Sequence, residues 1–302
     1  MGFDYGNARL ASMRGRLLDR SAIARLGESA TPSVMVAQLE HAEDWAPILR
    51  RVAPLGTDAT AALEAAIEFH RSARWGALPR FYENGDRRLV EALVMPLDTE
   101  RALAVLRRRR AGEPADQIAM TAIPGALLDA HLLARVARAP GPAAALRPLV
   151  DADVLDRHDA ERIAAAEING TRSAGLEEML QAAIERSRRA RTTGRGPDAA
   201  TVRRLLDHER GDREAVVIEL SEAGPGLATL LERSTKLARL DALAARGRRD
   251  PLGIGAVAGY VAAVEAQAIR LRAMVARVRA SWSAEDVTPY LARTEKPAWL
   301  AS

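Results

Sequence analysis

Apolar residues along this chain recur at steps of three and four far more often than at steps of two, which predicts helices almost everywhere. The clearest case lies near the end, where Ile254, Val257, Val261, Val264, Ala268, Leu271, Val275 and Val278 form a narrow seam. Asp250 and Pro251 are expected to open this helix: a carboxylate accepts from a free backbone N–H, and proline tolerates the first helical position. Gly253, Gly255 and Gly259 stand close behind in a Gly-x-Gly-x-x-x-Gly pattern that invites comparison with a phosphate cradle. Such a cradle needs a buried strand feeding the glycines. The upstream "RLDALAARGRRD" is highly charged and has no β-branched residue, so it predicts no such strand. Gly255 and Gly259 with Ala262 and Ala266 predict instead a side along which a second helix can approach closely.

The rest of the chain reads in the same mode. Leu10, Met13 and Leu17 mark a first apolar face, and Asp19 or Ser21 can cap a short helix ending near Gly27. Thr31 before Pro32 restarts the chain in one stretch carrying Trp45, Leu49 and Val52, which Pro54-Leu55-Gly56 stops. Asp58 opens a helix whose face holds Leu63, Ala66, Ile67 and His70, with His70 expected to be packed. A longer pattern from Asp86 runs through Leu89, Leu93, Leu97, Leu103 and Leu106, with a break or kink expected at Pro96. Arg107 to Arg110 read as the solvated end of that helix before Gly112, where positive charge suits the carbonyl end of the dipole. A short helix, a Pro124-Gly125 turn and another helix follow, and Pro140-Gly141-Pro142 punctuates the middle. "TTGRGPD" (192–198) is the best linker, and "AVVIEL" (215–220), though β-branched, is read as helix because its flanks are charged.

"LDTERALAVLRRRRAG", "ERGDREAVVIELSEAG" and "EAQAIRLRAMVARVRA" each place an acid ahead of a basic residue and an aliphatic run, a weak internal repeat. With 302 residues and 48% apolar composition, the chain can build two or three cored units. There is no cysteine, so disulfides and thiolate metal sites are excluded. The N-terminal residues carry charge throughout and form no signal peptide, and Gly6 stands where a myristoylation signal has Ser or Thr. The charge-free run Pro251 to Val264 is too short to span a bilayer.

Net charge is +4, but 44 basic residues are interleaved with 40 acidic ones, a pattern of solvated helix faces more than of a polyanion track. Aromatic residues make up 4%, too few to offer stacking platforms to single-stranded nucleic acid. His41, His70, His131, His158 and His208 have no ligand spacing. His158-Asp159 and His208-Glu209 are sequence neighbours, which on a helix point about 100° apart and so form no proton relay. Glu177-Glu178 reads as a solvated carboxylate pair. P-loop, zinc-protease, nucleophile-elbow and kinase motifs are missing, so no catalytic, cofactor-binding or metal-binding residue is assigned.

Three stretches carry a family resemblance. "YGNARLASMRGRLLDR" is similar to a Tyr-x-Asn-Ala-Arg opening helix, and "LDTERALAVLRRRRAGEPADQIAMTAIPGALL" to an Asp-x-x-Asn helix followed by a Pro-Gly loop. "DPLGIGAVAGYVAAVEAQAIRLRAMVARVRASWSAEDVTPYL" resembles a Pro-Leu-Gly-Ile/Val-Gly helix, with Tyr260, Glu265, Arg270, Leu271 and Arg272 in register. The family is that of the C subunit of V/A-type rotary ATPases and ATP synthases, related to the d subunit of the eukaryotic V-ATPase. Arg101 stands where the family's middle motif has asparagine, Arg213 stands at the corresponding place of the fainter later copy, and the stretch between Gly224 and Asp250 is short for the family.

The resemblance implies an all-α fold of three similar helical domains in a pseudo-threefold funnel, with units over 1–85, 86–196 and 197–302. It implies a non-catalytic central-stalk part without cofactors, peripheral on the cytoplasmic face of the membrane and without a span of its own. Its partners would be the shaft subunits D and F and the membrane proteolipid ring, not nucleic acid, and Tyr260 and Arg272 are expected to pack in the helix core. The residues alone leave open a helical scaffold or regulator, with a nucleic-acid partner suggested by the pI of about 9.9.

Overall fold

Helix starts fall where short polar side chains can satisfy the free N–H groups of a first turn. In the computed structural model, which describes residues 3–53, 58–194, 196–207, 225–249 and 251–281 (backbone alone for 225–235), the described residues contain helices and no strand. Asp19 accepts from the Ala22 N–H at 2.7 Å and opens α2 (Arg20–Gly27). Thr31 accepts from the Val34 N–H and opens α3 (Pro32–Glu40), with Pro32 in the first turn. Asp58 accepts from the Ala61 N–H at 2.8 Å ahead of α5 (Ala59–Ala77). These starts agree with the reading of the sequence.

Other boundaries differ. The first helix, α1 (Asp4–Arg14), ends before Leu17, because the chain turns at Gly15 to Leu17; its buried residues are Gly6, Asn7 and Leu10. The stretch after Thr31 is two helices, α3 and α4 (Ala46–Val52), separated by a turn in which the Trp45 N–H donates to the Ala42 carbonyl. "AVVIEL", His208 and Pro54-Leu55-Gly56 lie outside the described residues.

The chain forms two compact units. One comprises 72–202 and holds α6 (Asn84–Arg110), α7 (Ala115–Thr121), α8 (Ala130–Arg138), α9 (Pro142–Asp151), α10 (Arg157–Ile168) and α11 (Ser173–Ala190). α12 spans 197–207, and Arg195 of the expected linker lies outside the described residues. Its core gathers Leu103 and Leu106 from α6, Ile118 from α7, Leu133 and Val136 from α8, Leu149 from α9, Ile163 from α10, and Leu180 and Ile184 from α11. The arginine run that ends α6 is tied down at each residue: Arg107 pairs with Glu177, Arg108 with Glu113, Arg110 with Glu167, and Arg109 donates to the Ala139 carbonyl. These side chains brace the helix end against its neighbours, where the sequence suggested only a solvated terminus.

Pro96 was expected to break or kink α6, and the helix continues through it. Proline lacks the N–H that would reach back four residues to the Ala92 carbonyl. That carbonyl accepts instead from Arg188 Nε at 2.6 Å, with the Arg188 side chain buried. A guanidinium from α11 thus replaces the missing helical donor.

The other unit comprises 1–71 and 203–302. At its centre α14 (Ile254–Ala280), about 40 Å long at the usual helical rise, packs against α13 (Pro225–Arg249), α2 and α1. The segment between Gly224 and Asp250, short by sequence comparison, is filled by α13. Of the predicted seam residues only Val261 is half-buried; the others are buried. The seam is not narrow, since Ala258, Tyr260, Ala262, Glu265, Ala266 and Gln267 are buried as well, and α14 is covered around most of its circumference.

The predicted close approach occurs at the glycines. A Cβ on Gly247 of α13 would lie 2.5 Å from the Gly255 carbonyl oxygen and 2.7 Å from the Gly259 Cα, so two backbones nearly touch. By length and composition α14 could cross a membrane, with a mean hydropathy of 1.3, but 78% of that window is buried inside the protein, as expected of a core helix. Pro251 does not begin the helix. The N-cap is Gly253 in extended conformation, and α14 starts at Ile254.

Replacing Arg188 by Met should cost about 3 kcal/mol, because it strands the Ala92 carbonyl in the core. In a Pro96→Ala background the restored helical N–H should recover about 1 kcal/mol of that loss. Chemical denaturation of the four proteins checks this, and strictly additive effects would count against the compensation.

Candidate functional site

A helix buried on nearly every side must find partners for its polar side chains, because an unpaired buried charge costs several kcal/mol. On α14 those side chains are Glu265, Gln267 and Arg270, and each reaches a different neighbour. Glu265 accepts from Arg71 Nη1 of α5 at 2.9 Å and from Lys236 Nζ of α13 at 2.9 Å. Arg71, itself buried, also pairs with Glu68 at 3.0 Å, and Arg272 closes onto the same Glu68 carboxylate. Arg270 meets Asp241 of α13, which Arg20 of α2 shares.

The Gln267 amide oxygen accepts from the Leu18 N–H at 2.7 Å. Near the ends of α14, Asn7 Nδ2 donates to the carbonyls of Pro251 (2.8 Å) and Gly253 (3.1 Å), and Arg277 donates to the Gly27 carbonyl at 2.8 Å. The Asn7 bonds hold 251–253 outside the helix, which is why the predicted Pro251 start is displaced. Around this hub His70 stacks on Trp45, with centroids 4.3 Å apart and planes 4° from parallel, so it is packed as expected.

Burial disfavours the charged form of Glu265. The attraction of Arg71 and then Lys236, with their hydrogen bonds, outweighs that penalty and holds the carboxyl below its ordinary value. Stability from Glu265 is therefore present above the ordinary glutamate range and lost as pH falls through the lowered value.

A second buried carboxylate organises the Pro-Gly loop of the other unit. Asp98 of α6 accepts from the Leu127 and Leu128 N–H groups, both at 2.9 Å. A Cβ on Gly125 would strike Asp98 Oδ1, so this loop can follow its path only with glycine there. Burial pushes Asp98 up to about 6, while the backbone bonds from Leu128, Leu127 and Ala126 and the charge of Arg101 pull the other way. Arg101, at the family's asparagine position, also reaches the Ser72 hydroxyl at 3.4 Å.

Among the described residues no histidine joins either cluster except through the His70 stack. His131 and His158 are exposed on separate helices, and His41 is exposed in the turn that follows α3. Asp159 is engaged by Arg186 and Arg162, not by His158. Glu177 holds Arg107 and so is a structural partner, not a solvated member of a pair with Glu178. Among the described residues no group of three His, Asp or Glu side chains could hold a metal ion. The motif residues Asn7, Asp98, Glu265, Arg270 and Arg272 hold elements together, and Tyr260 is buried.

The all-helical architecture and its charge-pinned central helix define a structural class of protein, in which family motifs build the scaffold. The chain belongs to the ATP synthase (C/AC39) subunit family, whose profile matches residues 6–218. Members of this family are parts of V/A-type ATPases. The matched range takes in α1 to α12 and the Asp98 motif and ends before α13 and α14, so the glycine-bearing helix lies outside it. No match among curated proteins accompanies this assignment.

Glu265→Gln should destabilise the protein by about 3 kcal/mol near neutral pH, because Arg71 and Lys236 lose their shared counter-charge. Urea unfolding measures it, and a change below about 0.5 kcal/mol would mean that the hub carries little. For Asp98 the direction is opposite. Its raised value makes protonation stabilising, fully so below about 3.8, and that stability is lost as pH rises through about 6. The stability of the native protein minus that of Asp98→Asn should therefore grow by on the order of 3 kcal/mol between pH 7 and pH 4. Parallel denaturation curves at the two pH values would refute it.

Proposed function

We propose that this chain is a non-catalytic central-stalk subunit of a V/A-type rotary ATPase or ATP synthase, which couples the shaft subunits D and F to the membrane proteolipid ring. Ion transport linked to ATP hydrolysis or synthesis would pass through it as rotation. The observation that carries this reading is family membership over residues 6–218, where the motif residues serve rigidity. Residues that would transmit force are tied across elements by buried ion pairs and by a glycine crossing of two long helices. On this reading the chain sits at the cytoplasmic face without spanning the membrane, and the one apolar helix of spanning length among the described residues is a buried core helix. The division into units 1–85, 86–196 and 197–302 belongs to the same proposal.

A tagged full-length chain recovered from detergent-solubilised membranes should bring down subunits D and F and the proteolipid. Deleting the gene should abolish ATP-driven ion uptake into membrane vesicles while the catalytic head still hydrolyses ATP. Recovery without shaft or ring proteins, or ion uptake undiminished by the deletion, would refute the coupling role.

A further inference from the structure

In the unit 72–202, α8 and α9 diverge from the Ala139–Gly141 connection and leave a cleft of about 350 Å³. Its rim carries His131, Arg135, Arg138 and Arg147, all exposed, and no carboxylate lines it. Arg135 pairs with Asp151 and Arg138 with Asp116 (each at 2.8 Å), but these are exposed pairs of the kind that contribute little and are readily exchanged for a better partner. Arg147 makes no ion pair among the described residues.

Between these side chains the floor is apolar and small-featured, with Ala134, Ala144 and Pro148. Pro148 stands inside α9 and cannot donate to the Ala144 carbonyl four residues back, the same defect that Pro96 creates in α6. There Arg188 supplies the replacement donor. At Pro148 both residues of the defect line the cleft.

We propose that this cleft binds an acidic amphipathic helix of a partner protein, with one or two aliphatic side chains on the alanine and proline floor and flanking carboxylates on the arginines. Charge complementarity selects the partner. Three arginines line it without a lining acid, Arg147 makes no ion pair among the described residues, and the exposed Asp151 and Asp116 can be exchanged at Arg135 and Arg138 for carboxylates in the planar, bidentate geometry that Arg favours. A nucleic acid fits less well, because the lining has no aromatic ring for stacking and the floor offers apolar contact where a phosphate needs donors. The inference concerns the isolated chain and does not depend on which complex it joins.

The test uses the purified full-length protein and a fluorescein-labelled helical peptide of Glu and Leu, followed by anisotropy at low salt. Two competitors accompany it: the same peptide with Gln for Glu, and an oligothymidylate of equal charge. The Glu peptide should bind about tenfold more tightly than the Gln peptide, and Arg147→Glu should weaken it about tenfold. Ala144→Leu, which fills the floor, should weaken it similarly, whereas Arg172→Glu, an equal change of charge at the start of α11, should not. Circular dichroism melts confirm folding, and Arg147→Glu at the exposed rim keeps the test intact if the filled variant unfolds. Equal binding of the Gln peptide, equal loss in Arg172→Glu, or tighter binding of the oligothymidylate that Arg147→Glu abolishes would overturn the proposal.

Discussion

The unit 1–71 and 203–302 depends on the burial of charge along α14. A purely apolar helix of this length could settle against its neighbours in several registers with similar energy, because hydrophobic contact is not directional. Glu265, Gln267 and Arg270 remove that freedom, since each must meet one particular donor or acceptor when water is excluded. Glu265 fixes α5 and α13 together through Arg71 and Lys236, Gln267 fixes the backbone at Leu18, and Arg270 fixes α13 and α2 through Asp241. The glycine crossing then sets the distance: Gly247 and Gly259 admit no side chain between α13 and α14. Polar pairing fixes register and glycine fixes separation, with the surrounding aliphatic core supplying the driving force.

The unit 72–202 uses the same logic on a smaller scale. Two of its irregular points leave backbone polar groups unserved by regular structure, and at each a side chain distant in sequence answers them. The Ala92 carbonyl, orphaned by Pro96, is served by Arg188, and the loop N–H groups of Leu127 and Leu128 are served by Asp98. In both units, then, charged side chains are buried because backbone or counter-charge requires them, and the requirement ties elements that are far apart in the chain.

What the sequence disclosed follows from how local each signal is. Asp19, Thr31 and Asp58 cap their helices within three residues, so their role could be read directly, and so could the helical character of the seam from Ile254 to Val278. The close approach at Gly259 was legible because small residues recur there at helical spacing. The bonds that decide boundaries were not: Asn7 reaches Pro251 and Gly253, and Arg188 reaches Ala92, across long sequence separations that no local pattern encodes. For the same reason the start at Pro251 was misplaced, and α6 runs on through Pro96 without a break. Periodicity marks which face is buried, not how many neighbours cover it, which is why a narrow seam was expected where α14 is covered around most of its circumference. Glu265, Arg270 and Arg272 stood out through the family likeness, but their partners Arg71, Asp241 and Glu68 did not, because partner identity is a property of the fold.

These constraints bear on how such a chain could serve as a coupling part. Load applied along a helix is resisted poorly by apolar packing, whose energy changes little as one smooth surface slides past another. It is resisted better by interactions that fail over a fraction of an ångström, and partly buried hydrogen-bonded ion pairs are of that kind. The Glu265 and Arg270 contacts lie on α14 one to two turns apart and grip α13 at two points, Lys236 and Asp241. Sliding α13 along α14 would break both at once and drive Gly247 off the one place where the backbones fit. The pair is thus stiff against sliding of α13 along α14, and that stiffness follows from which residues are paired and which are glycine at the crossing.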